Sequence, residues 1–121
     1  MAQFEMNGTE LKKCKLDRGE MEVVIPDGVT KIAGRLFKGR KTIVKVTLPE
    51  SLTEIGEQAF RDCISLESCN LPESLQIVGQ NAFTGCTALT GIVCGCAVIG
   101  IVYRLIDGRS CIDSIRYPLA E

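Results

Sequence analysis

The sequence predicts a β-rich repeat solenoid of the α/β type, in which short strands alternate with short helical turns. Three observations support this: a fixed repeat of 23 residues, apolar columns that keep the same step, and a proline that ends one strand in each repeat. The step is plainest in two columns of identical residues: Pro26, Pro49 and Pro72, and Phe37, Phe60 and Phe83. Such units bury their apolar faces against their neighbours along the array.

The residue pattern changes twice within one repeat. Residues 66–71 alternate near their end between polar and apolar side chains, which predicts a strand with one face inward. Pro72 ends this strand because proline has no N–H to continue the ladder. Residues 74–79 form a second short extended segment. Residues 80–85 predict a helical turn, with Phe83 directed inward and a glycine as the exit.

The best-preserved unit runs from Cys63 to Cys86 and reads CxxLxxCxLPxxLxxVGxxAFxxC. It resembles the BspA-like leucine-rich repeat, and the likeness extends from residue 23 to about residue 94. In the first repeat, Arg40 stands in the cysteine column and Leu36 in the alanine column. In the partial fourth unit, Gly95 stands where a fourth proline is expected. The resemblance implies a right-handed, curved solenoid that binds other macromolecules.

A single structural domain with three parts is expected. An N-terminal cap occupies residues 1–22, with an Asn-Gly turn that predicts a β-hairpin lying beside residues 21–25. The repeats occupy residues 23–94, as units 23–45, 46–68 and 69–91 and a partial fourth unit from residue 92. A C-terminal cap occupies residues 95–121, where an Asp-Gly turn predicts a second hairpin between residues 98–106 and 110–117.

Composition excludes several classes of function. The chain of 121 residues has no histidine, which removes Ser-His and Cys-His nucleophile pairs and an imidazole base. A net charge of −1 argues against a nucleic-acid-binding protein, whose binding surface normally carries a strong basic excess. The longest apolar run has 12 residues, Ile92 to Tyr103, whereas a bilayer needs about 20. We therefore expect no catalytic residue, no nucleic-acid partner and no membrane association.

The predicted location follows from the N-terminus and the cysteines. Residues 1–10 lack the basic start and apolar stretch of a signal peptide, which predicts a cytoplasmic protein, or an extracellular one if a leader is missing from this chain. Seven cysteines form an odd set, and free thiols are expected. Cys63 and Cys86 share a column and should pack as small apolar residues. Cys94, Cys96 and Cys111 lack the fourth ligand of a usual zinc site, so no metal or cofactor is expected.

The candidate site is the outward side of the longer strand in each repeat. Leucine-rich repeat proteins usually bind through these positions, so the resemblance implies a protein partner there. By alternation, the exposed positions are Glu22, Val24, Lys45, Thr47, Ser68, Asn70, Gly91 and Val93. Combining Ser68→Arg with Asn70→Arg should abolish binding and leave thermal stability nearly unchanged.

Two alternatives to a protein-binding module remain open. Residues 1–45 carry ten basic and six acidic side chains (+4), and residues 46–91 carry one basic and six acidic ones (−5). Oppositely charged ends could join copies head to tail, which predicts a weakly self-associating structural module. The second alternative is a cysteine-based metal-binding or redox accessory protein.

Overall fold

The computed structural model describes residues 2–89, 91–94 and 115–116, and every regular element in this part is a β-strand. The described residues form ten strands: β1 (Gln3–Asn7), β2 (Glu10–Lys15), β3 (Glu22–Val24), β4 (Lys31–Ile32), β5 (Lys45–Thr47), β6 (Glu54–Ile55), β7 (Ser68–Leu71), β8 (Ile77–Val78), β9 (Gly91–Cys94) and β10 (Ile115–Arg116). The prediction of a β-rich solenoid is confirmed.

The strands form two sheets, one on each side of the coil. The long-strand sheet has the order β10-β9-β7-β5-β3, and the short-strand sheet has the order β1-β2-β4-β6-β8. All neighbours are parallel except the β1–β2 pair. Val23 pairs with Val46, and Val46 pairs with Cys69, so each coil advances by 23 residues. The sequence period is therefore the length of one coil.

The core lies between the two sheets and is built from the predicted apolar columns. Phe37, Phe60 and Phe83 are fully buried, and their rings stack with centroids 5.2 and 5.3 Å apart and planes inclined by 7° and 2°. These distances lie within the 4.5–7 Å range typical of favourable aromatic pairs. The inward direction predicted for the phenylalanine column is confirmed.

The predicted short helical turns are wrong for the described residues, which contain no helix. At residues 80–85 the chain makes turns, because Asn81 and Gly85 take the left-handed φ values of 60° and 82°. The backbone groups also have other partners. The N–H of Phe60 donates to the carbonyl of Ala82 at 2.8 Å, and that of Asp62 donates to the carbonyl of Thr84 at 2.8 Å. Hydrogen bonds between coils thus replace bonds within a helix.

The N-terminal hairpin forms as predicted, with β1 antiparallel to β2, but its predicted place beside residues 21–25 is wrong. Strand β2 pairs instead with β4, in the short-strand sheet, with Leu11 opposite Ile32. Leu11 thereby begins the buried column that Ile32 and Ile55 continue, which covers the apolar end of that column. The hairpin therefore extends the short-strand sheet, and β3 forms an edge of the long-strand sheet.

At the C-terminal end, β10 pairs in parallel with β9, and Ile115 lies opposite Ile92. This step is again 23 residues, so the long-strand sheet continues to residue 116. The first arm of the predicted C-terminal hairpin, residues 98–106, and its turn lie outside the described residues.

Candidate functional site

The eight predicted residues lie in two columns on the long-strand sheet, and we call this surface the strand face. The first column comprises Glu22, Lys45, Ser68 and Gly91, and the second comprises Val24, Thr47, Asn70 and Val93. Their alternation with the buried Val23, Val46 and Cys69 explains the outward direction of the described side chains. The structure therefore brings the predicted residues together on neighbouring strands.

Among the described side chains of the strand face, exposure is greatest at the β3 end. Glu22, Val24 and Lys45 are exposed, whereas Thr47, Ser68 and Asn70 are half-buried. Val24 is 62% exposed, and the adjoining Met21 is 57% exposed. An apolar spot with a carboxylate and an ammonium group beside it therefore marks this end, and sequence reasoning missed Met21 as part of it. Its position directly before β3 was the available signal.

Asn70 is a structural residue as well as a member of the strand face. Its Oδ1 accepts a hydrogen bond from the N–H of Leu48 at 2.8 Å, and its Nδ2 donates to the carbonyl of Leu48 at 3.1 Å. One coil earlier, a backbone bond occupies the corresponding place, since the N–H of Ile25 donates to the carbonyl of Thr47 at 2.9 Å. The expectation that Asn70→Arg leaves stability nearly unchanged conflicts with these contacts.

Four cysteines with described side chains, Cys14, Cys63, Cys69 and Cys86, are free thiols, and all of them are buried. The thiols of Cys63 and Cys86 each donate a hydrogen bond 3.0 Å long, to the carbonyls of Phe37 and Phe60 respectively. The neighbouring Cys86 side chain and, secondly, the backbone and charge of Arg40 lower the pKa of Cys63. Nevertheless, Cys63 is fully buried and cannot meet a substrate at the surface.

In Cys14 and Cys69, burial is the dominant influence on the thiol pKa and shifts it upward. It raises the pKa of Cys69 to about 12, and it raises the pKa of Cys14 despite the nearby Arg40 guanidinium. Within residues 2–89, 91–94 and 115–116, no group of three or more His, Cys, Asp or Glu side chains could hold a metal ion. The expectation that Cys94, Cys96 and Cys111 hold no metal ion stays a prediction, because Cys96 and Cys111 lie outside the described residues.

The family of the chain is decided by its repeats. A sequence profile described as "BspA type Leucine rich repeat region (6 copies)" matches residues 10–119. The chain belongs to the BspA-type leucine-rich repeat family. The match extends beyond the repeat region 23–94 predicted from the period, on both sides. Proteins of this repeat family are generally non-catalytic.

Solved structures of other leucine-rich repeat proteins are similar to this chain. A leucine-rich cell surface protein from Faecalibacterium prausnitzii A2-165 matches over 74% of this chain with 28% identity and a TM-score of 0.61. A protein from Bacteroides ovatus ATCC 8483 matches over 96% with 22% identity and a TM-score of 0.70. The T. pallidum leucine-rich repeat protein matches over 75% with 24% identity and a TM-score of 0.53. At these lower identities, the latter two show the fold alone.

The chain spans 27%, 36% and 56% of the lengths of these three proteins, in the same order. Among curated proteins, none matches this chain. In the part of the chain that the structure describes, no helix has the length and apolar character needed to cross a bilayer.

Proposed function

We propose that this chain is a non-catalytic protein-binding module that docks its partner on the strand face. The observation that carries the proposal is the register of the long-strand sheet, which gathers the predicted residues into two adjacent columns. Membership of a leucine-rich repeat family, whose members typically bind proteins, supports the same function. The burial of Cys14, Cys63, Cys69 and Cys86 disfavours a part for these four thiols in the cysteine-based alternative.

The exposed end of the strand face indicates the chemistry of the partner. Val24 and Met21 offer apolar surface, and Glu22 and Lys45 offer opposite charges beside it. Four strands spaced by about 4.8 Å give a face about 15 Å across. A standard interface takes about 800 Å² from each partner. The complex is therefore either weak or extends from the strand face onto neighbouring surface.

The test compares four forms of the protein: wild type, Val24→Arg, Ser68→Arg and the control Gln76→Arg. Gln76 is exposed and directly precedes β8 in the short-strand sheet, so it lies outside the strand face. Proteins captured from a lysate of the source cell are identified, purified and titrated against each form. Both strand-face variants should bind at least tenfold more weakly, while Gln76→Arg binds as the wild type does. Equal binding by all four forms, or capture of nothing, contradicts the proposal.

We also propose that the protein lies outside the cytoplasm. The similar protein from F. prausnitzii is described as a cell surface protein. This favours the extracellular one of the two locations that the sequence leaves open. Fractionation of the source cell, followed by immunodetection, distinguishes surface-exposed protein from cytoplasmic protein.

Self-association through oppositely charged ends is the second candidate function. The segregation of charge favours it: residues 1–45 have a net charge of +4, and residues 46–91 have a net charge of −5. Charges of opposite sign on two surfaces steer their encounter and fix their relative orientation. In this case the partner of the protein is a second copy of the same chain.

A further inference from the structure

A cavity of about 680 Å³ lies between the β1–β2 hairpin and the first coil. Small-molecule sites typically measure about 300–1,000 Å³. The charged residues that line the cavity are Glu5, Lys12, Lys13, Lys15, Arg35 and Arg40. Five cationic side chains thus surround it with a single carboxylate, although the net charge of the whole chain is −1.

Two of these cationic side chains are not neutralised by a nearby carboxylate among the described residues. Lys13 and Lys15 are exposed, and neither has an acidic partner within 4.0 Å in the described part of the chain. Lys12 lies 3.8 Å from the Glu10 carboxylate, which Lys31 also approaches at 3.9 Å. Lys31 also lies 3.5 Å from the Glu54 carboxylate, so the positive excess at the cavity rests on Lys13 and Lys15 and not on Lys12.

Arg40 is held in place at the wall of the cavity. Its Nη2 donates a hydrogen bond to the carbonyl of Cys14 at 2.8 Å, which ties the first coil to the hairpin. An arginine fixed in this way still has further N–H groups for a carboxylate or a phosphate. Because part of its ordering is already achieved, less entropy is lost when an anion binds.

The first coil departs from the repeat at the residues that line this cavity. The alanine column, Ala59 and Ala82, has Leu36 in the first coil, and the cysteine column, Cys63 and Cys86, has Arg40 there. Both replacements line the cavity. Leu36 and Phe4 are partly buried and pack against the core, so they give the cavity apolar surface next to the cations.

We propose that this cavity binds a small amphipathic organic anion, with its carboxylate or phosphate at the cations and its apolar part against Phe4 and Leu36. Cationic side chains supply the attraction, and the apolar lining favours a ligand that also loses apolar surface to water. This site lies on the hairpin side of the molecule and involves no residue of the strand face.

Calorimetric titration with octanoate and octyl phosphate, both below their micelle concentrations, tests the proposal and distinguishes the two anionic groups. The test variant is Lys13→Gln/Lys15→Gln. Its matched control is Lys38→Gln/Lys41→Gln, which removes the same charge from two exposed lysines outside the cavity lining. We expect one site per chain for at least one of the probes, a loss of affinity of tenfold or more in the test variant, and less than a twofold change in the control.

Three further measurements make the outcome decisive. Octyl glucoside tests the apolar part alone, inorganic phosphate tests the charge alone, and Val24→Arg tests independence from the strand face. Equal affinity for octyl glucoside or for inorganic phosphate overturns the amphipathic assignment. Equal losses in the two lysine variants, or no binding of either octyl anion, overturn the site itself. Because Val24→Arg should leave octyl-anion binding unchanged, failure of this proposal is distinguishable from failure of the proposed protein-binding function.

Discussion

At the scale of single residues, Asn70 replaces backbone pairing with its side chain. The ladder between β5 and β7 pairs Lys45 with Ser68 and Val46 with Cys69. Beyond that point, the amide of Asn70 binds both backbone groups of Leu48, just before Pro49. A side-chain amide suits this role because it presents one donor and one acceptor group together.

Asn70→Ala should lower the free energy of unfolding by about 1–3 kcal/mol, since both backbone groups of Leu48 lose a partner in a half-buried site. Urea denaturation followed by circular dichroism measures this change. Ser68→Ala, in the same strand, is the control and should stay within about 0.5 kcal/mol of the wild type. If the two variants are equally stable, the Asn70 amide does not support the end of β5.

Cys69 gives a prediction about pH. Burial raises the pKa of this thiol from its ordinary value of 9.0 to about 12. Above pH 9 the unfolded chain releases this proton and the folded chain keeps it, so the unfolded state binds fewer protons and stability falls as pH rises. The loss is about 1.4 kcal/mol per pH unit within that window.

Cys69→Val removes the titration and keeps an apolar residue of the type that Val23 and Val46 place in the same column. Urea denaturation of the wild type and of Cys69→Val at pH 8.0 and pH 10.5 isolates the contribution of Cys69, because every other titratable group is present in both proteins. Relative to Cys69→Val, the wild type should lose about 2 kcal/mol between these pH values. A constant difference between the two proteins would show that Cys69 does not resist ionisation in the fold.

The residues that sequence could place are those with copies at the 23-residue step. Val46 and Ser68 were predicted correctly as inward and outward because each belongs to a column. The role of Asn70 depends on a side-chain rotamer and on where one ladder ends, and no spacing encodes either. The cavity depends on departures from the repeat, such as Arg40, whose meaning appears only when the hairpin is in place.

At the scale of elements, the coils are held by lateral contacts between equivalent residues. The turns after the short strands illustrate this best. The sequence there resembles a helical turn, yet in the first two coils every second N–H group donates to a carbonyl of the next coil. Arg35, Gln58 and Asn81 all adopt positive φ. A β-carbon on Gly56 would lie 2.5 Å from the backbone nitrogen of Gly34, so the coils approach closely here. Local pattern alone could not reveal this, because the contact joins residues 22 positions apart.

Phe60→Ala tests the stack of phenylalanines at its centre. The ring of Phe60 contacts Phe37 on one side and Phe83 on the other. Its removal should lower the free energy of unfolding by about 3–5 kcal/mol, because it leaves a cavity in a fully buried column. Chemical denaturation measures the change. Phe60→Leu is the matched variant and should lose less than Phe60→Ala, and an unchanged stability in Phe60→Ala would contradict the inward assignment.

At the scale of the whole molecule, the solenoid keeps its two candidate binding regions apart. The strand face belongs to the long-strand sheet, whereas the cationic cavity lies at the hairpin that extends the short-strand sheet. Both regions include residues of the first coil, but they have no residue in common. Separate tests of the two sites are therefore meaningful.

The segregation of charge along the chain predicts that whole chains associate with one another. If the basic first segment, residues 1–45, contacts the acidic second segment of another copy, association should weaken with salt, since the Debye length falls from about 10 Å at 0.1 M to about 3 Å at 1 M. Light scattering coupled to size exclusion should give a weight-average mass above 13.2 kDa at low salt and high concentration. At 1 M salt it should approach the monomer value.

Lys38→Glu/Lys41→Glu reverses two exposed charges of the basic segment outside the cavity lining, and it should abolish association at low salt. Val24→Arg is the comparison variant, because it alters the strand face and keeps residues 1–45 basic, so it should still associate at low salt. A wild-type protein that stays monomeric at low salt rules out the self-associating module. Association that persists in the double lysine variant and is lost in Val24→Arg would instead mean that copies meet through the strand face. In that case, the partner of the proposed binding surface would be the chain itself.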